Sequence, residues 1–159
     1  MTGTVIQDLI IYQKDDNYVV AGNITREIIE IFSEASQAIQ FSIEKLADSG
    51  GSVILSRGKY YLNKTINVKS NIQITGSGRG TKLIVNGDKV KDSGIICQGT
   101  NHININNIFI TSENKQVDTG IILDDCGDCK INDVYILGFA SYGIWLRNSS
   151  FLCEIRSCR

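Results

Sequence analysis

The sequence predicts an all-β chain, a parallel β-helix entered through a lead-in β-hairpin and one amphipathic capping helix. Three observations carry that expectation. The 159 residues include 15 glycines and no proline, with Ile and Asn abundant, which suits many short strands joined by tight turns. Only one stretch has a helical period. The second half of the chain repeats itself about every 24 residues, the length of one coil in a solenoid that buries its apolar face by stacking on its neighbours.

In chain order, residues 4–12 and 17–21 read as two short strands around the polar turn Gln13-Lys14-Asp15-Asp16, a lead-in hairpin. From Ser33 the period changes: Ala35, Ala38, Ile39, Ser42, Ile43 and Leu46 fall on one helical face, with Glu34, Gln37, Gln40, Glu44 and Lys45 opposite. Ser33 or Ser36 is the expected N-cap, and Gly50-Gly51 the expected stop. Short β runs follow at Ser52–Leu55, Lys59–Leu62, Thr65–Val68, Asn71–Thr75 and Lys82–Val85. The organisation expected is a single domain, with 1–32 as lead-in hairpin and linker, 33–49 as capping helix and 50–159 as coils, the last one incomplete.

The repeat sets a register. Gly94-Ile95-Ile96-Cys97 recurs as Gly120-Ile121-Ile122-Leu123 and Gly143-Ile144-Trp145-Leu146, at offsets of 26 and 23. Ile105-Asn106-Asn107-Ile108 recurs as Ile131-Asn132-Asp133-Val134, and Ile155-Arg156-Ser157-Cys158 closes the series. Stacked inward columns are therefore expected at Ile95/Ile121/Ile144, Cys97/Leu123/Leu146 and Ile103/Cys129/Cys153. Facing outward are Ile96/Ile122/Trp145, Gln98/Asp124/Arg147 and Asn104/Lys130/Glu154. Asp124 over Arg147 and Lys130 over Glu154 would be ion pairs about 4.8 Å apart along the ladder, and Asn106 over Asn132 a short amide ladder.

Composition excludes several function classes. Sixteen basic against seventeen acidic residues leave no broad basic surface for a nucleic-acid backbone. No positive n-region leads into an apolar run, and no stretch reaches the roughly 18 apolar residues of a membrane span. A soluble protein without export signal or membrane contact is expected, cytoplasmic or virion-associated unless the true N-terminus lies upstream. The five cysteines, Cys97, Cys126, Cys129, Cys153 and Cys158, read as reduced thiols. Cys126, Cys129, Cys153 and Cys158 also allow a four-thiolate zinc site, against which Cys129 and Cys153 share an inward column. His102 has no partner at metal-ligand spacing and reads as a turn residue. Gly76-Ser77-Gly78-Arg79-Gly80-Thr81 is only superficially a phosphate loop, since a strand follows where a helix N-terminus is required.

Several segments together resemble the N-terminal block of the pectate-lyase-like β-helix proteins: Ser36-Gln37-Ala38-Ile39-Gln40, Gly50 to Leu55, Gly58 to Leu62 and Ser70 to Thr81. That superfamily includes polygalacturonases, polysaccharide lyases, alginate epimerases and phage tailspikes. The resemblance implies a right-handed parallel β-helix, close over residues 35–85 and looser to 158. Arg57 stands where the family usually has a proline before the glycine, and known members are much longer. Asp124-Asp125-Cys126 resembles the paired aspartates of polygalacturonases, where one carboxyl protonates the leaving oxygen and others activate water. The family's later His-Gly step is Tyr142-Gly143 here, and no Arg-Ile-Lys follows.

The catalytic candidates that this resemblance implies are Asp124, Asp125, Arg147 and Lys130. In a lyase, Arg147 or Lys130 would be the base beside carboxylates that hold calcium, such as Asp124, Asp125 and Asp128. Alternatively Asp124 pairs with Arg147, and Asp125 begins a turn with Gly127 and Asp128. Trp145, Tyr135 and Phe109 are candidate ligand-binding aromatics, because exposed rings stack on the apolar face of a sugar; cover by the N-terminal hairpin or a subunit interface is the other reading. The expected function is a carbohydrate-handling β-helix domain with a polysaccharide partner, the N-terminal part or a degenerate relative of a lyase or hydrolase. The alternative is a structural or adhesive module, tailspike-like or self-associating, in which further coils or a second chain cover the C-terminal end.

Overall fold

A computed structural model describes residues 8–159, so residues 4–7 of the first expected strand lie outside the described residues. Strands β1 (Asp8–Lys14) and β2 (Asn17–Gly22) form an antiparallel hairpin that turns on Asp15, at φ 55°, and Asp16. Gln13 and Lys14, expected in the turn, belong to β1. A third strand, β3 (Ile28–Phe32), pairs antiparallel with β2 where the sequence suggests only a linker. Its apolar residues do not alternate, and Ile28 and Ile31 are half-exposed, so periodicity gives no strand signal.

Helix α1 (Ala35–Leu46) buries Ala35, Ala38, Ile39, Ile43 and Leu46 and closes one end of the stack. Its N-cap is Glu34, with no side-chain bond to the first turn. Neither Ser33 nor Ser36 caps it. Seating Ala35 and Ile39 on the core turns Ser36 inward, where its Oγ is buried without a partner. The end lies where expected: the Gly50 amide donates to the Leu46 carbonyl at 2.7 Å, and Gly50 takes φ 72°. A Cβ there would also lie 2.9 Å from the Asn71 carbonyl oxygen.

Four coils follow, three strands each. The first is β4 (Gly51–Leu55), β5 (Gly58–Leu62) and β6 (Ile66–Val68). The second is β7 (Ile72–Thr75), β8 (Thr81–Val85) and β9 (Ser93–Gln98), the third β10 (Asn104–Asn106), β11 (Phe109–Ser112) and β12 (Thr119–Asp124). The fourth is β13 (Lys130–Asn132), β14 (Tyr135–Leu137) and β15 (Tyr142–Arg147), and β16 (Glu154–Arg156) begins another. Equivalent strands stack in parallel into three sheets. The long sheet runs β16-β13-β10-β7-β4-β1-β2-β3, the middle sheet β14-β11-β8-β5 and the closing sheet β15-β12-β9-β6. The chain is a parallel β-solenoid with one helix near its N-terminus.

The register is the one the repeats predict. Ile121 pairs with Ile95 and Ile144, Leu123 with Cys97 and Leu146, and Asp124 with Gln98 and Arg147. Ile95, Ile121, Cys97, Leu123, Ile103 and Cys129 are buried, and a fully buried Ile or Leu contributes about 1.5–3 kcal/mol. Inward residues at the C-terminal end of the columns are more open, Leu146 at 40% and Ile155 at 42%, because β15 and β16 have a neighbouring strand on one side only. The recurring Gly94 and Gly120 sit where the coil bends into the closing sheet. A Cβ on Gly94 would lie 2.8 Å from Val85 Cγ2, and one on Gly120 2.6 Å from the Gly143 carbonyl oxygen.

The remaining corners are single left-handed residues stacked coil upon coil. Asn107, Asp133 and Ser157, directly after the register partners Asn106, Asn132 and Arg156, have φ of 53°, 53° and 50°. His102, Asp128 and Leu152 have 57°, 51° and 51°, and Gly99, Asp125 and Asn148 have 60°, 52° and 54°. Asn, Asp and Gly tolerate this region best, which accounts for their abundance. Corner amides still donate to the next coil, as from His102 to the Gly127 carbonyl and from Asn107 to the Asn132 carbonyl. Proline has neither that φ nor that N–H, so its absence fits the architecture.

Two expected pairings do not form. Lys130 and Glu154 are in register, yet Glu154 pairs with Arg156, two residues along its own strand, and Lys130 stands exposed. Asn106 and Asn132 stack without an amide ladder. The Asn106 Oδ1 instead accepts from Thr75 Oγ1 and from Asn107 Nδ2, while its Nδ2 donates to Asn104 Oδ1. The Gly76–Thr81 segment is a 3-10 turn over Gly78–Gly80 leading straight into β8.

Candidate functional site

Two outer faces carry the candidate residues. On the closing sheet Ile96, Ile122 and Trp145 stack in one column and Gln98, Asp124 and Arg147 in the next. Ile122 points away from the core and yet is 0% exposed, since it lies between Ile96 and Trp145; outward on this sheet does not mean exposed. Tyr142 stacks on Trp145 with ring centroids 5.0 Å apart and planes 27° apart. The Arg147 guanidinium lies 5.0 Å from the Trp145 ring centroid.

Asp124, 4% exposed, is the best-bonded carboxylate on that face. It accepts from Arg147 Nε at 3.0 Å, from Gln98 Nε2 at 3.4 Å and from Asn148 Nδ2, and Arg147 Nη2 lies in ion-pair contact at 3.0 Å. The expected Asp124–Arg147 pair therefore forms, inside a larger polar cluster. Asp125, the next residue, is an exposed left-handed corner. Asp128 occupies another corner and meets His102 Nδ1 at 2.9 Å, so His102 is a surface turn residue with a partner. Lys130 lies on β13 in the long sheet. The structure thus brings Asp124, Arg147 and Trp145 to one face, leaves Asp125 at the corner after β12 and sets Lys130 on a different sheet.

On the middle sheet, Lys59, Lys82, Phe109 and Tyr135 form an outward column. Phe109 and Tyr135 meet edge to face at 6.4 Å. The Lys82 Nζ sits 4.8 Å from the Phe109 ring centroid, and the Arg79 guanidinium 4.3 Å from that of Tyr135. Arg159 continues the column, its amide and carbonyl bonded to Val134 and Ile136. Arg79, Phe109, Tyr135, Ile136, Leu137 and Arg159 line an open cleft of about 280 Å³. The N-terminal hairpin covers neither aromatic column, because it extends the long sheet.

A crystal structure of a putative glycosyl hydrolase from Parabacteroides merdae ATCC 43184 is similar over 77% of this chain and 89% of that one, with TM-score 0.52 and 13% identity. At that identity the likeness is one of fold. No family model and no curated protein matches the sequence.

The thiols belong to the core. Burial pushes Cys97 well above the usual thiol range, with Cys126, Cys129 and Cys153 nearby adding to it, and burial pushes Cys129 up to about 12. Cys126 Sγ donates to the Cys97 carbonyl at 2.9 Å, and Cys158 Sγ to the Arg156 carbonyl at 3.2 Å. Among the described residues no three His, Cys, Asp or Glu side chains converge as a metal-binding group. That applies to the four-thiolate zinc set and to Asp124, Asp125 and Asp128 as a calcium set. All five cysteines are free. Among the described residues no helix is long and apolar enough to cross a membrane.

Reasoning on the sequence missed Tyr142, Asn148, Arg79, Lys82 and Arg159. For Arg159 a signal existed, since it stands 24 residues after Tyr135, the offset that relates Ile131 to Ile155. Arg79 had none, because its turn has no counterpart in later coils.

Proposed function

We propose that this chain is a carbohydrate-handling β-helix domain, related in architecture to polysaccharide lyases and glycoside hydrolases, whose sugar-facing surface is the closing sheet at β12 and β15. The observation that carries it is the Tyr142–Trp145 stack beside the Asp124–Arg147–Asn148 cluster. A flat aromatic platform takes the apolar face of a pyranose, while guanidinium and amide groups next to it take hydroxyls. The fold likeness to the Parabacteroides protein supports the same reading.

The geometry supports binding better than cleavage. A general acid must reach the leaving oxygen, whereas Asp124 is already engaged by Arg147, Gln98 and Asn148. Arg147 is held by Asp124 and Trp145, which leaves Asp125, at the corner after β12, as the unengaged carboxylate beside the face. The test is retention on gels of acidic and neutral polysaccharides, with ultraviolet detection of unsaturated ends and a reducing-end assay run alongside, with and without calcium. Retention on a neutral gel that Trp145→Ala abolishes is expected. No retention on any gel would overturn the reading, and products would add Asp125 as the first residue to substitute.

A second reading, a structural or adhesive self-associating module, is favoured by the exposed apolar edge at Leu146, Phe151, Leu152 and Ile155. Concentration-dependent trimers or filaments in light scattering would support it.

A further inference from the structure

The middle-sheet face differs chemically from the proposed sugar platform. Arg57, Lys59, Arg79, Lys82 and Arg159 gather on and beside it, and no Asp or Glu side chain lines its cleft. Among the described residues none of these five cations is in an ion pair, and none of their side chains donates a hydrogen bond. Five unneutralised cations on one face of a chain of net charge -1 make a marked local asymmetry.

Arg79 lies over Tyr135 and Lys82 over Phe109, as Arg147 lies over Trp145, but Arg147 is paired with Asp124 whereas these two cations have no carboxylate partner among the described residues. Cation–ring contact holds the charged group in place without consuming its N–H donors, and a guanidinium so held is ready for a bidentate bond to a carboxylate or sulfate. The column from Lys59 through Lys82, Phe109 and Tyr135 to Arg159 rises by about 4.8 Å per coil, which makes the charges a linear array along the solenoid axis.

We propose that this face is a second binding site, for a glycan chain carrying carboxylate or sulfate groups, in which Arg79 and Lys82, braced on Tyr135 and Phe109, together with Arg159, hold the anionic substituents. The proposal rests on the carbohydrate-handling reading for its glycan class and on the cleft for its anionic character. Spaced cations in line with half-buried rings suit a linear polyanion, and the overall charge of the chain disfavours a nucleic-acid backbone.

The test is affinity electrophoresis and calorimetry of the full chain against a polyuronate, a sulfated glycosaminoglycan, a neutral glucan and a single-stranded oligonucleotide. The variants are Arg79→Gln, Lys82→Gln, their double, and the charge-keeping Lys82→Arg, each checked for an unchanged circular dichroism spectrum. Binding to an acidic glycan is expected, weakened by added salt. Each Gln substitution should lower it about tenfold, and Lys82→Arg should largely keep it. Acidic-glycan binding equal in wild type and double variant would overturn the site, as would tighter binding of the oligonucleotide than of either acidic glycan. Binding of the neutral glucan that Trp145→Ala abolishes, with no acidic-glycan binding, would overturn this site while leaving the closing-sheet reading intact. Silence toward every glycan would overturn both.

Discussion

Replacing Asp124 separates a structural carboxylate from a functional one. Its side chain is 6% exposed and that of Arg147 28%, so the pair is intermediate between a surface pair, worth about 0–1 kcal/mol, and a buried one, whose breakage costs about 3–5 kcal/mol. Asp124→Ala strips Arg147, Asn148 and Gln98 of an acceptor, but Arg147 can turn toward water and keep its contact with Trp145. The expected loss is therefore about 2–3 kcal/mol, and about 1–2 kcal/mol for Asp124→Asn, which keeps an oxygen for Asn148. The assay is urea unfolding at constant m-value, with a double-mutant cycle through Arg147→Met. The cycle should show coupling of at least about 1 kcal/mol. A loss under about 0.5 kcal/mol for Asp124→Ala, or additive single variants, would refute the reasoning and show the cluster to be held by something else. Unchanged stability with abolished glycan binding or turnover would assign Asp124 to function instead.

Other substitutions probe the solenoid itself. Leu152 is a 77% exposed leucine held at the left-handed φ of 51° in a corner column, and Leu152→Gly should raise stability by about 0.5–1 kcal/mol, read as a higher urea midpoint; a fall would mean that its side chain packs in solution. Gly120→Ala puts a methyl 2.6 Å from the Gly143 carbonyl oxygen and should cost at least about 1–3 kcal/mol, read as a lowered melting temperature. An unaffected melting point would show that β15 moves aside freely. For pH, Cys129 is raised from 9.0 to about 12, so across that window the unfolded chain ionises its thiol while the folded one does not. The folded state keeps a proton that the unfolded chain loses, so the thiol's contribution is fully present below the window and stability falls as pH rises through it. Unfolding midpoints should show this decline, with a shallower slope in Cys129→Ala; identical slopes would refute it.

Most of the solenoid was legible because a stacked fold writes its contacts as offsets. Once Gly94-Ile95-Ile96-Cys97 is set against its two repeats, every column of the closing sheet follows, and so does the Asp124–Arg147 contact. Offsets state which residues are neighbours along the axis. They do not state how far a side chain leans or what reaches it from a turn. Hence Ile122 faces outward but is sealed between Ile96 and Trp145, and Glu154 turns to Arg156 rather than to Lys130. The paired aspartates are divided in the same way: Asp124 is a strand residue clamped by donors, while Asp125 occupies a left-handed corner that nothing in the dipeptide distinguishes.

By itself, then, the sequence determined the parallel coils, their register, the capping helix and the inward thiols, since each depends on local period or on a repeated apolar position. Tertiary structure decided what depends on non-repeating reach: the third strand at the N-terminal end, the stacked corners, and the meeting of Arg79 with Tyr135 across 56 residues. The physical reason is that burial in a solenoid is set coil by coil and so leaves a periodic trace. A cleft assembled from a one-off turn and a strand two coils later leaves none.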